Sequence, residues 1–366
     1  MASARAIVCR APYSEGGWKM EDVTVRQPGE GELLIEMVAS GICHTDALIG
    51  GLPDGAAPIA FYPRVLGHEG SGYVEAVGPG VTVAAKGDPV LLSFAFCDSC
   101  AVCKAGHHSH CNTFTELNFG GPYKVFGEKG SEEPTLSGAF FGQSSFANLS
   151  IVKACSVVNV KDIVKDKREL QLFSPLGCGI QTGSGTVINA GQATADDVVC
   201  IMGLGGVGLS AIMGAKIQGC KTIIGVDRVE SRLKLAKELG ATHVVDGSKL
   251  PEGKSLGDVI KELAESIGPS ITIDTTGVPA LTKAGIDFTR NRGKFIQVGS
   301  SPFDFKLEID VFGFMVSVGV MLGAQAACIV VAVGWRIDCP FSASAPRPNR
   351  YYRLQSLPYL VLSVTS

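Results

Sequence analysis

Apolar and polar positions along the chain fall into two textures. Up to about residue 165 the pattern is β-like. Glu32 to Ala39 alternates, Gly72 to Val77 and Asp88 to Phe94 behave similarly, and Gly-Pro-Gly at 78–80 and Gly-Asp-Pro at 87–89 separate them as turns. From Asp197 onward, short apolar runs alternate with segments of helical spacing. The pattern predicts strands at Val198–Met202, Thr222–Val226, His243–Val245, Ile271–Asp274, Lys294–Val298 and Val318–Leu322, with helices at Val207–Gly219 and Ser231–Leu239. Strands alternating with helices imply βαβ units and a parallel sheet. The expected fold is α/β: a β-rich domain over residues 1–165 and a doubly wound domain over 166–325, without internal repeats.

Residues 311–335 carry no charged side chain, long enough to raise a membrane span. Gly313, Gly319, Gly323 and Gln325 dilute the stretch, and its first half reads better as a buried parallel strand. Residues 326–366 combine an apolar run, a Pro/Ser/Arg-rich stretch and an apolar end without sustained period.

Composition narrows the class. Hydrophobic residues make up 46% of the 366 and charged ones 18%, a balance that can bury a core. The net charge of −3 offers no basic surface for nucleic acid or anionic membrane. Met1–Trp18 lacks a basic region followed by an apolar one, so no secretory signal is expected and a cytoplasmic location is. Twelve cysteines in that setting point to metal ligation or buried thiols rather than disulfides.

Cys97, Cys100, Cys103 and Cys111 form C-x2-C-x2-C-x7-C. Thiolates so spaced converge on one tetrahedral zinc at about 2.3 Å and leave no open position, which makes such a site structural. An iron–sulfur cluster and plain thiols are the rivals, and His107, His108 and His110 read as a solvated loop inside the last gap. A second set is dispersed: Cys43 and His44 in GICHTD, His68 and Glu69 in GHE, and Cys178 in GCGIQTG. Each residue alone reads as core packing. Together they offer two thiolates and one imidazole, with a fourth position left open, the pattern of catalytic zinc.

These motifs stand in the order and spacing of the zinc-containing medium-chain alcohol dehydrogenases, which the chain resembles from about residue 5 to about 325. Within that family it is similar to fungal aryl-alcohol and secondary-metabolite dehydrogenases, including the patulin-pathway type. The resemblance implies a GroES-like catalytic domain, a Rossmann domain and two zinc ions per subunit. Cys43, His68 and Cys178 would hold the catalytic zinc, and the four-cysteine lobe the structural one. Thr45 would relay the alcohol proton, Asp46 would orient the His68 imidazole, Glu69 would lie close to the metal, and His44 near the cofactor phosphates. Zinc lowers the pKa of an alcohol it binds, and a dry pocket strengthens that help. One departure stands out: where many relatives have a histidine three residues beyond the relay hydroxyl, this chain has Leu48.

Gly203-Leu204-Gly205-Gly206-Val207-Gly208 fits G-x-G-x-x-G, follows an expected strand and opens an expected helix, as a dinucleotide fingerprint requires. Asp227 lies 19 residues beyond Gly208, placed to accept ribose hydroxyls and favour NAD over NADP; Arg228 beside it tempers that preference. By the resemblance, Arg232 would approach the adenosine ribose and Thr182 the nicotinamide. Gln297-Val298-Gly299-Ser300 would offer backbone to the nicotinamide amide. Phe140, Phe141 and Ser93 are candidates for the substrate pocket, with core packing as the alternative.

The expected activity is reversible oxidation of a primary alcohol, aryl or of secondary-metabolite type, by NAD in a homodimer or homotetramer. The rivals are a glutathione-linked aldehyde dehydrogenase of the same fold and a non-catalytic cofactor-binding form. The second rival arises because residues 326–366 lack the return segment that normally completes the first domain. That tail reads either as a lineage-specific ending or as a gene-model error.

Overall fold

The first two strands, β1 (Ala2–Cys9) and β2 (Trp18–Val25), pair antiparallel along their whole length, from Ala2 opposite Val25 to Cys9 opposite Trp18. The structure, a computed structural model, describes residues 1–119, 123–302, 304–310, 312, 315, 320–323 and 361–363. Then come β3 (Glu32–Gly41), β4 (Arg64–Val65), β5 (Glu69–Val77), β6 (Pro89–Leu92), β7 (Lys124–Glu128), β8 (Leu136–Ser137), β9 (Leu149–Lys153) and β10 (Val157–Asn159). β1, β2, β7, β8 and β4 close into a barrel, which leaves no exposed edge there. A second sheet runs β10–β6–β5–β3, with β9 also on β3.

The alternation of Glu32–Ala39 predicts one buried face, but nine of the ten residues of β3 are buried. Both faces are covered. Leu34 packs into the barrel core with Val8, Val25 and Phe126, while Leu33, Ile35 and Met37 face a separate cluster with Val74, Val90 and Leu92. A covered strand of this kind fixes register firmly, because a one-residue slip would exchange the two cores.

The second unit is a parallel sheet of β11 (Val198–Met202), β12 (Thr222–Asp227), β13 (His243–Asp246), β14 (Ile271–Asp274), β15 (Lys294–Gln297) and β16 (Val320–Gly323). Its order is β13–β12–β11–β14–β15–β16, the doubly wound arrangement. β11 is buried at every residue, as a strand covered on both faces must be. The helix expected at Val207–Gly219 spans Gly206–Ile217, and Gly219 follows it at φ +77°, a left-handed stop that suits glycine. The strand expected at Val318–Leu322 begins at Val320, and positions 318–319 lie outside the described residues.

The helix Lys167–Leu172 lies just past the change of texture at 165, and its Leu170 packs with Val38, Leu91 and Val160 of the first unit. The tail read as atypical over 326–366 falls outside the described residues, apart from β17 (Val361–Ser363), which pairs antiparallel with Ala39–Gly41. Among the described residues no helix is long and apolar enough to cross a membrane.

Candidate active site

Three separate stretches of chain meet at one point between the two units. Cys43 follows β3 and caps the helix His44–Ile49. His68 lies in the three-residue link between β4 and β5, after Gly67, whose φ of +97° a side chain would strain. Cys178 sits between the short turn Ser174–Gly177 and the helix Gly179–Gly185. A Cβ on Gly41 would collide with the Glu69 carboxylate, so glycine there lets β3 and β5 bring Cys43 and His68 together.

The donor atoms of Cys43, His68, Glu69 and Cys178 all lie within 4.8 Å of one another. His68 Nε2 is 3.2 Å from Cys178 Sγ, and Cys178 Sγ is 4.0 Å from Cys43 Sγ. Tetrahedral zinc with bonds of about 2.0–2.3 Å requires ligand separations of roughly 3.3–3.8 Å. Those two separations lie within a few tenths of an ångström of that range. Two thiols, an imidazole and a carboxylate in a buried site also suit a divalent cation electrostatically.

Asp46, fully buried, ties two of the ligand stretches together. Its Oδ2 accepts from the Cys43 amide at 3.0 Å, and its Oδ1 from the Gly67 amide at 3.0 Å and pairs with His68 Nδ1 at 3.1 Å. That last contact leaves Nε2 facing the thiols. Hydrogen bonding from Cys178 pulls the Cys43 thiol well below its ordinary value, and the same contact pushes Cys178 well above its own. Burial opposes charge on His68, but Asp46 and Cys43 outweigh it and raise its pKa. Burial, then the nearby Cys43 charge, lift Glu69 to about 7.

Thr45 Oγ1 stands 3.6 Å from Cys43 Sγ. His44 is exposed at the start of its helix, and Leu48 is half-buried one turn on. Phe141 stacks on His68 at 4.4 Å between ring centroids, and Phe140 meets the imidazole edge-on at 5.5 Å. Phe140 is buried in the barrel core against Arg64, which favours the packing alternative for that ring. The Ser93 hydroxyl is engaged, donating to the Gly177 carbonyl at 3.1 Å and accepting from Gln181 Nε2 at 3.0 Å.

Cys97, Cys100, Cys103 and Cys111 form the other convergent group, again within 4.8 Å. Backbone amides point at the sulfurs: Cys97 N–H donates to Cys111 Sγ, Cys100 N–H to Cys97 Sγ and Cys103 N–H to Cys100 Sγ, at 3.3–3.4 Å. Hydrogen bonds from Ser99 first, then backbone amides, hold Cys97 at about 5, and burial and the neighbouring thiols push Cys103 to about 12. None of the three nearby histidines joins the four sulfurs; His108 instead packs on Phe96 at 4.2 Å.

The glycine-rich turn lies where β11 meets the helix Gly206–Ile217. Gly203 has φ +86°, and a Cβ there would press on Thr275 and Thr276. A Cβ on Gly208 would collide with the Gly203 carbonyl, whereas one on Gly205 would enter open space. That opening lets a pyrophosphate approach the backbone at Gly205, Gly206 and Val207 with the helix N-terminus behind it. Asp227 reaches back to the turn: its Oδ2 accepts from Leu204 N–H at 2.7 Å, its Oδ1 from Arg228 and Val229 N–H, and Arg232 stands 3.6 Å away. Arg228 itself is exposed. Thr182 is buried on the helix Gly179–Gly185, and Val298 N–H donates to the Asp274 carbonyl beyond β15.

Gln143 and Gln181 are polar residues at this site that the sequence pattern does not single out. Neither carries metal-ligand chemistry; Gln181 lies inside GCGIQTG, while Gln143 belongs to no motif and bonds to residues 50 to 75 positions away.

Residues 29–162 match the family model of the alcohol dehydrogenase GroES-like domain, and residues 206–327 match that of the zinc-binding dehydrogenases. A geraniol dehydrogenase of Castellaniella defragrans is 39% identical over 303 residues, covering 81% of this chain and 76% of that one. A probable alcohol dehydrogenase of Pseudomonas sp. is 38% identical, over 72% of this chain and 80% of its own. The crystal structure of benzyl alcohol dehydrogenase from Acinetobacter calcoaceticus superposes with a TM-score of 0.77 at 35% identity, covering 90% and 86% of the two chains.

Proposed function

The chain belongs to the zinc-binding medium-chain alcohol dehydrogenases, and on that footing we propose that it oxidises primary aryl or secondary-metabolite alcohols reversibly with NAD, using Cys43, His68 and Cys178 as ligands of the catalytic zinc. The convergence of these three donors with Glu69 carries the reading. The four-cysteine lobe is proposed to hold a second, structural zinc. When bound, zinc supplies the Lewis acidity that makes a substrate hydroxyl acidic near neutral pH, and the dinucleotide supplies the hydride acceptor.

The chain's own residues then divide the work. Asp46 fixes the His68 tautomer from behind. Thr45, beside Cys43, would take the hydroxyl proton, and Leu48, one turn on, offers no imidazole to pass it along. Phe141 keeps one side of the site apolar and dry. Gly203, Gly205, Gly206, Val207 and Gly208 form the pyrophosphate cradle, Asp227 and Arg232 the ribose end, and Thr182 and Val298 the nicotinamide end.

An aryl or similarly flat unsaturated substrate suits the Phe141 ring stacked against His68, and two relatives are named for geraniol and benzyl alcohol. The glutathione-linked rival has a namesake among the relatives, an S-(hydroxymethyl)glutathione dehydrogenase of Candida maltosa at 35% identity, but the basic residue nearest the site does not serve it. Arg64 is buried between Phe61 and Phe140, and its guanidinium donates to the Ile59 and Phe119 carbonyls instead of facing a carboxylated substrate. The complete ligand set argues against a non-catalytic form. We also place the protein in the cytoplasm as a homodimer or homotetramer. Among the described residues β16 ends its sheet, and its exposed Val320 and Met321 offer apolar surface for association, which sedimentation of the purified chain tests.

The deciding assay follows NADH formation with benzyl alcohol, geraniol and ethanol. Turnover that favours the first two and uses NAD over NADP supports the proposal; equal turnover of ethanol, or strict NADP use, contradicts it.

A further inference from the structure

We propose that Gln143 is a positioning residue for the catalytic metal: it sets the spacing between His68 and Cys178 without touching either ligand side chain. The inference rests on the reading of Cys43, His68 and Cys178 as zinc ligands, and adds a second tie to the one Asp46 provides.

The three ligands come from stretches 25 and 110 residues apart, so backbone continuity cannot hold them in register. Asp46 joins the Cys43 stretch to the His68 stretch. It makes no hydrogen bond to the Cys178 stretch. Glu69 makes one direct link, its Oε1 accepting from Gly179 N–H at 3.3 Å, and Gln143 with Ser93 supplies a second. Gln143 is fully buried, and its amide is used on both ends: Nε2 donates to the His68 carbonyl at 2.9 Å and to the Ser93 carbonyl at 2.8 Å, and Oε1 accepts from Gly70 N–H at 3.0 Å. It therefore grips the chain on both sides of Glu69. Ser93 then passes the connection on, because its hydroxyl donates to the carbonyl of Gly177, the residue before Cys178. Gln181 closes the loop by donating to the Ser93 hydroxyl and to the same Gly177 carbonyl. Gly177 presses so close to the Leu92 carbonyl that a Cβ would collide, so movement of β6 carries directly to the ligand loop.

Only a primary amide of this length supplies two donors and one acceptor to three backbone groups at once. A carboxylate lacks the donors, and a thioether lacks the donors and accepts only weakly. The backbone around Gln143 is also held in an unusual form. Ala139, Phe141 and Ser144 have φ values of +58°, +52° and +54°, in the left-handed region that side chains avoid. Such strain persists only where surroundings over-determine it, and it clusters at functional sites. Here the turn delivers two things to one imidazole: the Phe141 ring against its face and the Gln143 amide on its main-chain carbonyl.

The test uses the full-length holoprotein with cobalt(II) exchanged for zinc. The variants are Gln143→Met, which keeps volume and removes all three hydrogen bonds, and Ser93→Ala, which cuts the link further along. Asn118→Leu is the control, since Asn118 is equally buried and bonds three times to the Ala95 and Phe114 backbone, away from the dispersed ligands. Gln143→Met is expected to alter the visible cobalt spectrum of the Cys43 site. It should release that metal to a chelator on the order of 10–100-fold faster, as loss of an outer hydrogen-bond partner typically does. Ser93→Ala should move both readings the same way by less, and Asn118→Leu should lower the melting temperature without moving either. If Gln143→Met does not fold, Ser93→Ala decides by the same two readings. A wild-type spectrum and release rate in these variants overturns the inference alone. A wild-type protein that binds metal only in the four-cysteine lobe overturns the underlying zinc assignment as well.

Discussion

Replacing Asp46 by asparagine separates charge from shape at the point where two ligand stretches are joined. The side chain keeps its size, but one of its two oxygens becomes a donor. In the native arrangement Oδ2 faces the Cys43 amide at 3.0 Å, while Oδ1 faces the Gly67 amide at 3.0 Å and His68 Nδ1 at 3.1 Å. Whichever way the new amide turns, an N–H faces an N–H in a site without solvent. A hydrogen bond to a charged group contributes about 1.5–3 kcal/mol, and a buried donor left unmet costs a similar amount. At about 1.4 kcal/mol per factor of ten, that corresponds to roughly 10–100-fold in metal affinity or kcat/KM, the range seen for outer-sphere partners of metal ligands. Asp46→Asn should therefore bind the dispersed-site metal more weakly, lose kcat/KM by that factor at saturating zinc, and melt a few degrees lower. Zinc titration with a competing chelator and steady-state rates on an aryl alcohol measure both. Native metal affinity together with native kcat/KM in Asp46→Asn would refute the claim that this carboxylate holds the ligand frame.

Cys103→Ala should remove one zinc, lower the melting temperature and leave the Cys43 site loaded; metal analysis before and after heating checks this, and loss of both ions would contradict independent sites. Asp227→Ser removes the carboxylate at the ribose end while leaving exposed Arg228 in place, so the ratio of kcat/KM for NADP over NAD should rise at least about tenfold, and an unchanged ratio would remove Asp227 from the specificity role. Burial pushes the Glu32 carboxyl up, but Arg26, the Gly29 amide and Lys153 outweigh it and hold the pKa at about 2 against an ordinary 4.5. A depressed folded-state pKa gives stability that is complete above the unfolded value and lost as pH falls from about 4.5 toward about 2. The shift sets a ceiling of about 3 kcal/mol, reduced to about 1–2 by solvent around the partly exposed Arg26 and Lys153. Glu32→Gln should flatten the acid limb of stability measured by urea unfolding between those pH values, and an unaltered slope would argue against the ion pair.

Legibility from sequence followed the range of the interactions. β11 and the turn after it are read directly because both signals are local: an unbroken apolar run, then glycines at fixed offsets. The candidate metal ligands are named by residue type and spacing, and the structure gathers both groups, with Glu69 joining the dispersed one. β3 reads as half-buried because sequence does not reveal that a second core covers its other face. The helix Gly179–Gly185 is hidden for the opposite reason. Its glycines are poor helix formers, yet a Cβ on Gly183 would strike the Val207 carbonyl, so close packing on the helix Gly206–Ile217 selects them. Gln143 is the extreme case. Its three partners, His68, Gly70 and Ser93, are brought to it only by barrel and sheet closure, and no local pattern marks an amide that serves backbone. Closing pairings such as β1 with β4, which sets Cys9 beside Arg64, leave no local signature either.

The central claim is that two metal sites with different roles share this chain. Metal stoichiometry of purified wild-type protein and of His68→Ala, measured beside NADH formation, tests it most directly. The account predicts two zinc ions per chain and alcohol-dependent NADH formation in the wild type, with one zinc and loss of turnover in His68→Ala. Full turnover in His68→Ala, or a wild type that oxidises alcohols with the Cys43 site free of metal, would contradict it.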